Sequence, residues 1–288
     1  AFIIFHYEDS DSWDWRFSFC QKDNKEVTEA KRYTFLLGPG QSCRTAADNF
    51  QKLIDKHGDI SRDDIVKAFD VEALSKEFFD KYKAQYEKFC NYIYDNRNDE
   101  SLFGHEFAEW DEKLIRDYVK KLLGRIVFLH FLQKKGWLGV DVNKQWGEGE
   151  NQFMRNLFKA STQQQKDNYL DLVLEPLFAN ALNSQRTNDI FDLNVEGYRT
   201  TRIPYLNGGL FERDALDEPK STFPASYFEE LFDFFYQYNF TIDENDPNDA
   251  EVGIDPEMLG RIFENLLEDN KDKGAFDTHK QIVQYMCR

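Results

Sequence analysis

The sequence predicts a mainly helical fold with a small N-terminal β-rich portion, α+β overall. From about residue 45 onward, apolar residues recur every three or four positions, which is the spacing of one face of a helix. The first forty residues instead alternate aromatic and polar side chains, as half-buried strands do. Hydrophobic residues make up 41% of the 288 residues, which is enough for a sizeable core. We therefore divide the chain into a β-rich fragment at 1–43, a helical scaffold domain at 44–250 and a closing helix and loop at 251–288.

The β-rich fragment contains three predicted strands. They cover residues 2–7, 13–21 and 33–37, and the last one ends at the turn Gly38-Pro39-Gly40. Three short strands make an incomplete sheet. We interpret them as the end of an upstream domain.

The helical region begins with two short helices and a long one. The first starts near Thr45 and has Gly58 as its stop signal. Ser61 and Asp64 then predict a capping box, in which each side chain accepts a backbone N–H of the first helical turn. The long helix covers about 71–94. We expect its apolar stripe to lie in the core, and the stripe consists of Leu74, Phe78, Tyr82, Tyr86, Phe89 and Ile93.

The strongest predicted helix runs over about 110–135. Its apolar set is too wide for a surface helix, so we expect this helix at the centre of the domain. Gly136 supplies the left-handed residue that ends it, and the two preceding lysines suit the negative end of the helix dipole. The apolar set consists of Leu114, Ile115, Tyr118, Val119, Leu122, Leu123, Ile126, Val127 and Leu129.

Several shorter helices are predicted in the second half of the chain. They cover 151–158, 162–182 with a kink near Pro176, and 225–238. Near the end of the chain, Asp255 predicts an N-cap, and Pro256 suits the first position of the helix that follows.

Composition restricts the function classes. The formal net charge is −17, whereas domains that bind nucleic acid normally show a basic excess, so composition alone argues against DNA. The four cysteines are widely spaced without a Cys-x-x-Cys pair, which argues against a zinc site and against a disulfide framework. No metal ligand is assigned, and a reducing cytoplasm fits best. No apolar run reaches the roughly 20 residues of a membrane span.

A basic stripe on the strongest helix is nevertheless a candidate DNA contact. An acidic protein can carry a local basic surface, and these side chains would bind phosphates. Helices also commonly carry such charges on a solvated face, and that alternative interpretation is favoured by the pattern alone. The candidate residues are Lys120, Lys121, Arg125, Lys134 and Lys135.

No catalytic residue is assigned. His130 lies inside an apolar run without an adjacent titratable partner, so we interpret it as a hydrogen-bonded core histidine. Asp23-Asn24-Lys25 and Glu29-Ala30-Lys31 supply the residue types of a metal-dependent nuclease. Both lie in polar, turn-like stretches, so we interpret them as solvated loops.

The last part of the sequence resembles a known family. Residues 253–268 read GIDPEMLGRIFENLLE and are followed by Gly274-Ala275-Phe276. They are similar to the approach to the core of adenine-specific DNA methyltransferases of restriction-modification systems. Earlier segments resemble the large single-chain members of that family, namely residues 32–40 with 44–47, then 121–140 and 204–211. The resemblance therefore covers nearly the whole chain.

The resemblance implies that the complete protein acts on DNA in bacterial defence. Such proteins methylate adenine at N6 with S-adenosylmethionine, with or without a restriction endonuclease in the same chain. In the family, a Gly-x-Phe-Tyr-Thr-Pro segment lines the cofactor site, which implies cofactor-binding roles for Gly274, Phe276 and Thr278. The Tyr and Pro positions hold Asp277 and His279 here. Because the aromatic contact is lost, we expect no tight cofactor binding by this chain alone.

These observations lead to one principal hypothesis and one alternative. In the first, the chain is a non-catalytic helical scaffold fragment of a restriction-modification protein. Both ends look cut from a longer chain, and the partners would be DNA, through the complete protein, and a downstream methyltransferase core. In the alternative, the chain is a helical protein-interaction module of another defence or regulatory system, which the acidic balance and the aromatic-rich helices favour.

Overall fold

The computed structural model describes residues 1–6, 14–22, 31–206, 209–241, 249–256, 258 and 260. About 50% of the protein is helical, and a small antiparallel sheet accompanies the helices, so the predicted mainly helical α+β class is confirmed. The chain divides into two compact units, formed by residues 1–83 with 237–288 and by residues 84–236. This division does not follow the predicted boundaries at 43/44 and 250/251, which stay predictions.

The elements are as follows. The strands are β1 (Phe2–His6), β2 (Trp15–Gln21), β3 (Lys31–Leu37), β4 (Ile190–Phe191), β5 (Thr201–Arg202) and β6 (Asp249–Glu251). The α-helices are α1 (Arg44–Ile54), α2 (Arg62–Ala68), α3 (Val71–Asn96), α4 (Glu112–Lys134), α5 (Phe153–Ala160), α6 (Gln163–Asp167) and α7 (Ala225–Tyr236). Two 3-10 turns lie at His105–Glu109 and Gly209–Phe211, and two π-helical segments lie at Leu170–Leu174 and Pro176–Leu182.

The sheet of the first unit contains the three predicted N-terminal strands. β1, β2 and β3 pair in antiparallel order, and β6 then adds to β3 in parallel. β6 was not predicted, because its pairing with β3 joins residues more than 200 positions apart. The sheet is therefore not confined to the first 43 residues.

An aromatic cluster forms the core beside this sheet. Phe69, which follows α2 directly, is 1% exposed, and its ring centroid lies 5.0 Å from that of Phe35 on β3. The rings of Phe17 and Phe50 complete the cluster at 5.9 and 5.7 Å from Phe69. Aromatic rings at these separations and tilts attract one another beyond the burial of their area. The cluster therefore holds the start of the helical region against the sheet.

The predicted capping box is confirmed at the start of α2. The Ser61 hydroxyl accepts the Asp64 N–H at 3.2 Å, and the Asp64 carboxylate accepts the Ser61 N–H at 3.0 Å. The hydrogen bond that Lys56 donates is the first cause of a pKa for Asp64 that lies well below its usual range. Further along the chain, the predicted cap at Asp255 is also present, because its carboxylate accepts the Met258 N–H at 2.7 Å.

α4 is a largely buried helix of the second unit, as its wide apolar set predicted. Its N-cap is Asp111, whose side chain accepts the Leu114 N–H at 2.8 Å. Leu114 itself is 39% exposed, so its assignment to the buried set was wrong. It occupies the first turn, where the helix has not yet entered the core. The other predicted members are buried: Ile115, Tyr118, Val119, Leu122, Leu123, Ile126, Val127 and Leu129.

The predicted kink near Pro176 is replaced by π-helical backbone on both sides of the proline. Proline has no N–H, so it removes a hydrogen bond from the interior of any helix. π-Helical stretches are rare and usually one turn long. Within the second unit, the adjoining Tyr169 ring packs against Phe228 of α7 at a centroid distance of 5.3 Å.

Candidate functional site

The principal charged site of the second unit lies in the middle of α4. Arg125 is 2% exposed, and Asp217 is 9% exposed. The Arg125 Nη1 and Nη2 groups donate to Asp217 Oδ1 at 2.8 Å and Oδ2 at 3.0 Å, which is the bidentate geometry of a strong arginine–carboxylate pair. We call Arg125, Lys121, Asp214 and Asp217 the charged clamp.

Arg125 also holds the backbone of the segment that carries Asp217. Its Nε donates to the Leu210 carbonyl at 2.8 Å, and its Nη2 donates to the Glu212 carbonyl at 2.9 Å. These bonds join α4 to residues 85–92 positions later in the chain. The guanidinium therefore fixes the course of the 210–217 segment.

Lys121 supplies the second cation of the charged clamp. Its Nζ lies 2.6 Å from Asp217 Oδ2 and 2.7 Å from Asp214 Oδ2. Burial alone would raise the pKa of the Asp217 carboxyl, but hydrogen bonds from Arg125 and Lys121 outweigh burial and hold that pKa below its usual range. The hydrogen bond from Lys121 is also the first cause of a lowered pKa for Asp214. Both carboxylates are thus kept ionised by the two basic residues.

Glu175 lies close enough to the charged clamp to interact with Asp217 and Arg125, and Asp171 interacts with Glu175. Burial raises the pKa of Asp171 and of Glu175, both on the π-helical region. For Glu175, repulsion by Asp217 adds to the increase and attraction by Arg125 opposes it. Tyr118 shares a hydrogen bond with Ser221, and burial raises the pKa of its hydroxyl. The surroundings therefore disfavour additional negative charge on Asp171, Glu175 and Tyr118. Asp217 remains the anionic partner of Arg125.

The clamp gives the middle of the predicted basic stripe a role that neither sequence interpretation included. Arg125 is neither solvated nor available to a phosphate in this conformation, because its donors bind protein oxygens. Lys121 has a side chain only 16% exposed and contacts two carboxylates. Lys120 is 20% exposed and lies 3.4 Å from Asp117. Asp217, which the sequence reasoning missed, is the residue that decides this outcome.

The end of the stripe has a different environment. Lys134 is partly exposed and has an interaction within the protein, whereas Lys135 is exposed at the C-cap of α4. Gly136 follows with φ +66°, as predicted for a helix stop. DNA contact by Lys120, Lys134 and Lys135 stays a prediction.

His130 lies in the core, as expected. It is 4% exposed, its Nδ1 lies 2.9 Å from the Ile126 carbonyl, and its ring centroid lies 4.5 Å from that of Phe235. Burial lowers its pKa to about 4, so the ring is neutral at pH 7. A neutral histidine packed among aromatic rings fits a structural role.

Other predicted residues lie outside the described part of the chain. The implied cofactor residues Gly274, Phe276 and Thr278 belong to this group, as do Asp277 and His279. Asp23 and Glu29 also lie outside it, whereas Lys31 is exposed at the start of β3. Within the described ranges, no group of three or more His, Cys, Asp or Glu side chains has the arrangement of a metal site.

Comparison with known proteins gives no match: no protein-family model, curated protein or solved structure is significantly similar to this chain. Among the helices of the described residues, none is both long enough and apolar enough to cross a membrane.

Proposed function

We propose that this chain is a non-catalytic helical scaffold segment of a restriction-modification protein with adenine-specific DNA methyltransferase activity. Its role is to hold the modules of the parent protein in position on DNA. The family assignment rests on the sequence resemblance of residues 253–268 and 274–276, which lead toward a methyltransferase core. The chemistry belongs to that core and to any nuclease in the parent.

The observation that carries the scaffold role is the charged clamp. Burying an arginine with a bidentate carboxylate partner has a large desolvation cost, since both charges lose their hydration. Here the arginine joins α4 to a segment some ninety positions later and also binds two of that segment's carbonyl groups. Such a pair favours one arrangement of the chain, which is what a rigid spacer requires. The use of its donors within the protein argues for support and against substrate binding at this position.

The test is an assay of the 288-residue chain for both activities of the parent class. The chain is incubated with duplex DNA and radiolabelled S-adenosylmethionine, and separately with duplex DNA and Mg²⁺. We expect neither methyl transfer nor cleavage, and calorimetry should show no tight binding of S-adenosylmethionine. Methylation or cleavage by the purified chain, lost on denaturation, would contradict the scaffold role.

A second candidate function is that of a protein-interaction module, and β1 favours it. This strand lies at one edge of the sheet and exposes Phe2 by 52% and Ile4 by 62%. Exposed apolar edge strands are places where another chain can add to a sheet. A DNA retardation assay at increasing salt separates the two functions. A scaffold that contacts phosphates loses affinity steeply with salt, whereas a pure protein-interaction module shows no binding even in dilute buffer.

A further inference from the structure

The loop that follows α4 is closed at its base by backbone hydrogen bonds. The Gly136 carbonyl accepts the N–H groups of Gly147 at 3.1 Å and Gly149 at 3.0 Å. The Glu150 N–H then donates to the Leu138 carbonyl at 2.9 Å. The residues flanking Gly136 therefore lie beside those flanking Gly147. We call residues 137–146 the tryptophan loop.

This loop exposes two indole rings. Trp137 is 39% exposed, and Trp146 is 38% exposed. The Arg202 guanidinium lies 4.3 Å from the centre of the Trp146 ring, its Nη1 donates to the Lys144 carbonyl at 2.7 Å, and its backbone N–H donates to the Val140 carbonyl at 2.8 Å. The cation–π contact and these two bonds hold the Trp146 ring in place without burying it. A positioned, exposed ring is a surface on which another flat group can stack.

The carboxylates around the tryptophan loop bind groups within the protein. The Asp141 carboxylate accepts the Asn143 N–H at 2.8 Å, and the Glu148 carboxylate accepts the Gln145 N–H at 2.7 Å. Asp189 lies 3.5 Å from Arg202, and Glu150 accepts hydrogen bonds from Tyr198 and Asn156.

Unlike Asp189, the lysine just before the loop and the lysine within it have no ionic contact within the part of the chain that the structure describes. Lys135 and Lys144 are exposed, and neither ammonium group has an ion-pair partner among the described residues. The carboxylates support the loop, whereas the ammonium groups remain open to an anion. Both lysines lie at positions that the backbone bonds place near the indole rings.

We propose that the tryptophan loop, with Lys135 and Arg202, is a binding site for single-stranded nucleic acid. Exposed indoles stack on unpaired bases, and neighbouring cations neutralise the phosphates between them. Open lysines favour nucleic acid over a protein partner, because lysine is depleted in the buried centre of protein interfaces. The inference deepens the proposed function, on which it rests only for the expectation that the nucleic acid is DNA.

The probe is a fluorescently labelled oligothymidylate of about 12 nucleotides, within the length that one single-strand site covers. Its anisotropy is followed while the full 288-residue chain is added in low salt. Trp137→Ala with Trp146→Ala should weaken binding at least about thirtyfold, because two stacks are lost and each costs roughly 1–3 kcal/mol. Lys135→Ala with Lys144→Ala should weaken binding by about five- to tenfold, because two phosphate contacts are lost.

Matched controls separate the loop from the rest of the surface. Lys113 and Lys159 are exposed lysines of the same unit, so Lys113→Ala with Lys159→Ala makes the same change in net charge. Tyr94 is 54% exposed and has Arg97 at 4.5 Å from its ring centre, so Tyr94→Ala removes a comparable aromatic–cation pair elsewhere. We expect both controls to bind as the wild type does.

Three results would overturn the proposal. The first is the absence of binding by the wild-type chain in low salt. The second is equal weakening by the loop variants and their controls, with circular dichroism showing all of them folded. The third is self-association in sedimentation velocity that needs Trp137 and Trp146 and is unaffected by the oligonucleotide, which would make the loop a protein interface. None of these results bears on the methylation and cleavage assays, so the two proposals fail separately.

Discussion

The middle and the C-terminal end of the basic stripe on α4 differ in how their positive charges are used. In the middle of the helix, Arg125 and Lys121 are neutralised by Asp217 and Asp214 inside the protein. At the C-terminal end, Lys135 lies in solvent beside a loop with two exposed indoles. Lysine therefore serves folding in the middle of α4 and remains available to a ligand at the C-cap of the same helix. The difference follows from whether a distant carboxylate reaches the helix.

The strongest way to test this difference is to remove the buried cation. Arg125→Met leaves Asp217 ionised without its bidentate partner and leaves two carbonyl groups without donors. Loss of one member of a buried ion pair costs about 3–5 kcal/mol, so we expect the free energy of unfolding to fall by about that amount. Urea denaturation followed by circular dichroism measures it.

Two companion variants sharpen this result. Lys113→Met removes an exposed cation from the same helix and should change stability by less than about 0.5 kcal/mol. Arg125→Met combined with Asp217→Leu removes both charges and should recover part of the loss, because no unpaired buried charge remains. A normal stability of Arg125→Met, together with lost DNA binding, would instead make Arg125 a ligand contact.

The next effect concerns His130, which lies on α4 between the two regions. Burial lowers its pKa to about 4, whereas the unfolded chain has a pKa near 6.5. As the pH falls below 6.5, the unfolded state binds a proton that the folded state does not, so this contribution to stability is present above pH 6.5 and lost below it. The loss should reach about 2 kcal/mol at pH 5.

The measurement is the free energy of unfolding of the wild type minus that of His130→Gln, from pH 7 to pH 5. The subtraction removes the opposite effect of Asp171 and Glu175, whose raised pKa values stabilise the folded state as the pH falls. A difference that does not depend on pH would show that the pKa of His130 is not lowered in the folded protein.

Lys121 should have a smaller effect than Arg125. Its side chain is partly in solvent, at 16% exposure, and Asp217 keeps its bidentate partner when Lys121 is removed. Lys121→Met should therefore lower the free energy of unfolding by about 1.5–2 kcal/mol, at the lower end of the range for one hydrogen bond to a charged group. Thermal and urea unfolding of this variant beside Arg125→Met would contradict the ranking if Lys121→Met were the less stable.

The smallest effect on stability is expected at the other end of the stripe. Lys135→Ala and Lys144→Ala each remove an exposed cation with no ion-pair partner among the described residues, so each should change stability by less than about 0.5 kcal/mol. Urea denaturation of both single variants checks this. A loss of 2 kcal/mol or more would mean that these lysines support the fold.

Local features of the fold could be predicted from the sequence. The capping box at Ser61 and Asp64, the stop at Gly136 and the buried position of His130 depend on residues a few positions apart. The helical periodicity of α4 is equally local, and only Leu114 departs from it, because the first turn lies at the edge of the core. Short-range hydrogen bonds and side-chain spacing can be predicted because they depend only on residues that are close in sequence.

The partners of distant residues could not be predicted in this way. Asp217 meets Arg125 across 92 positions, and β6 pairs with β3 across more than 200. Neither pairing leaves a periodic signal, because each depends on how whole elements pack. The π-helical backbone around Pro176 was also missed, since over so few residues its spacing of apolar side chains resembles that of an α-helix.

The salt dependence of oligothymidylate binding is the most direct test of whether the cations at the C-terminal end of the stripe are available to a ligand. The two open lysines at the tryptophan loop predict a slope of log affinity against log salt of about −1.4 for the wild type. With Lys135→Ala and Lys144→Ala together, the slope should fall close to zero, because Arg202 is already paired with Asp189 and bound to the Lys144 carbonyl. An unchanged slope in this double variant would contradict the assignment of the open cations to nucleic acid.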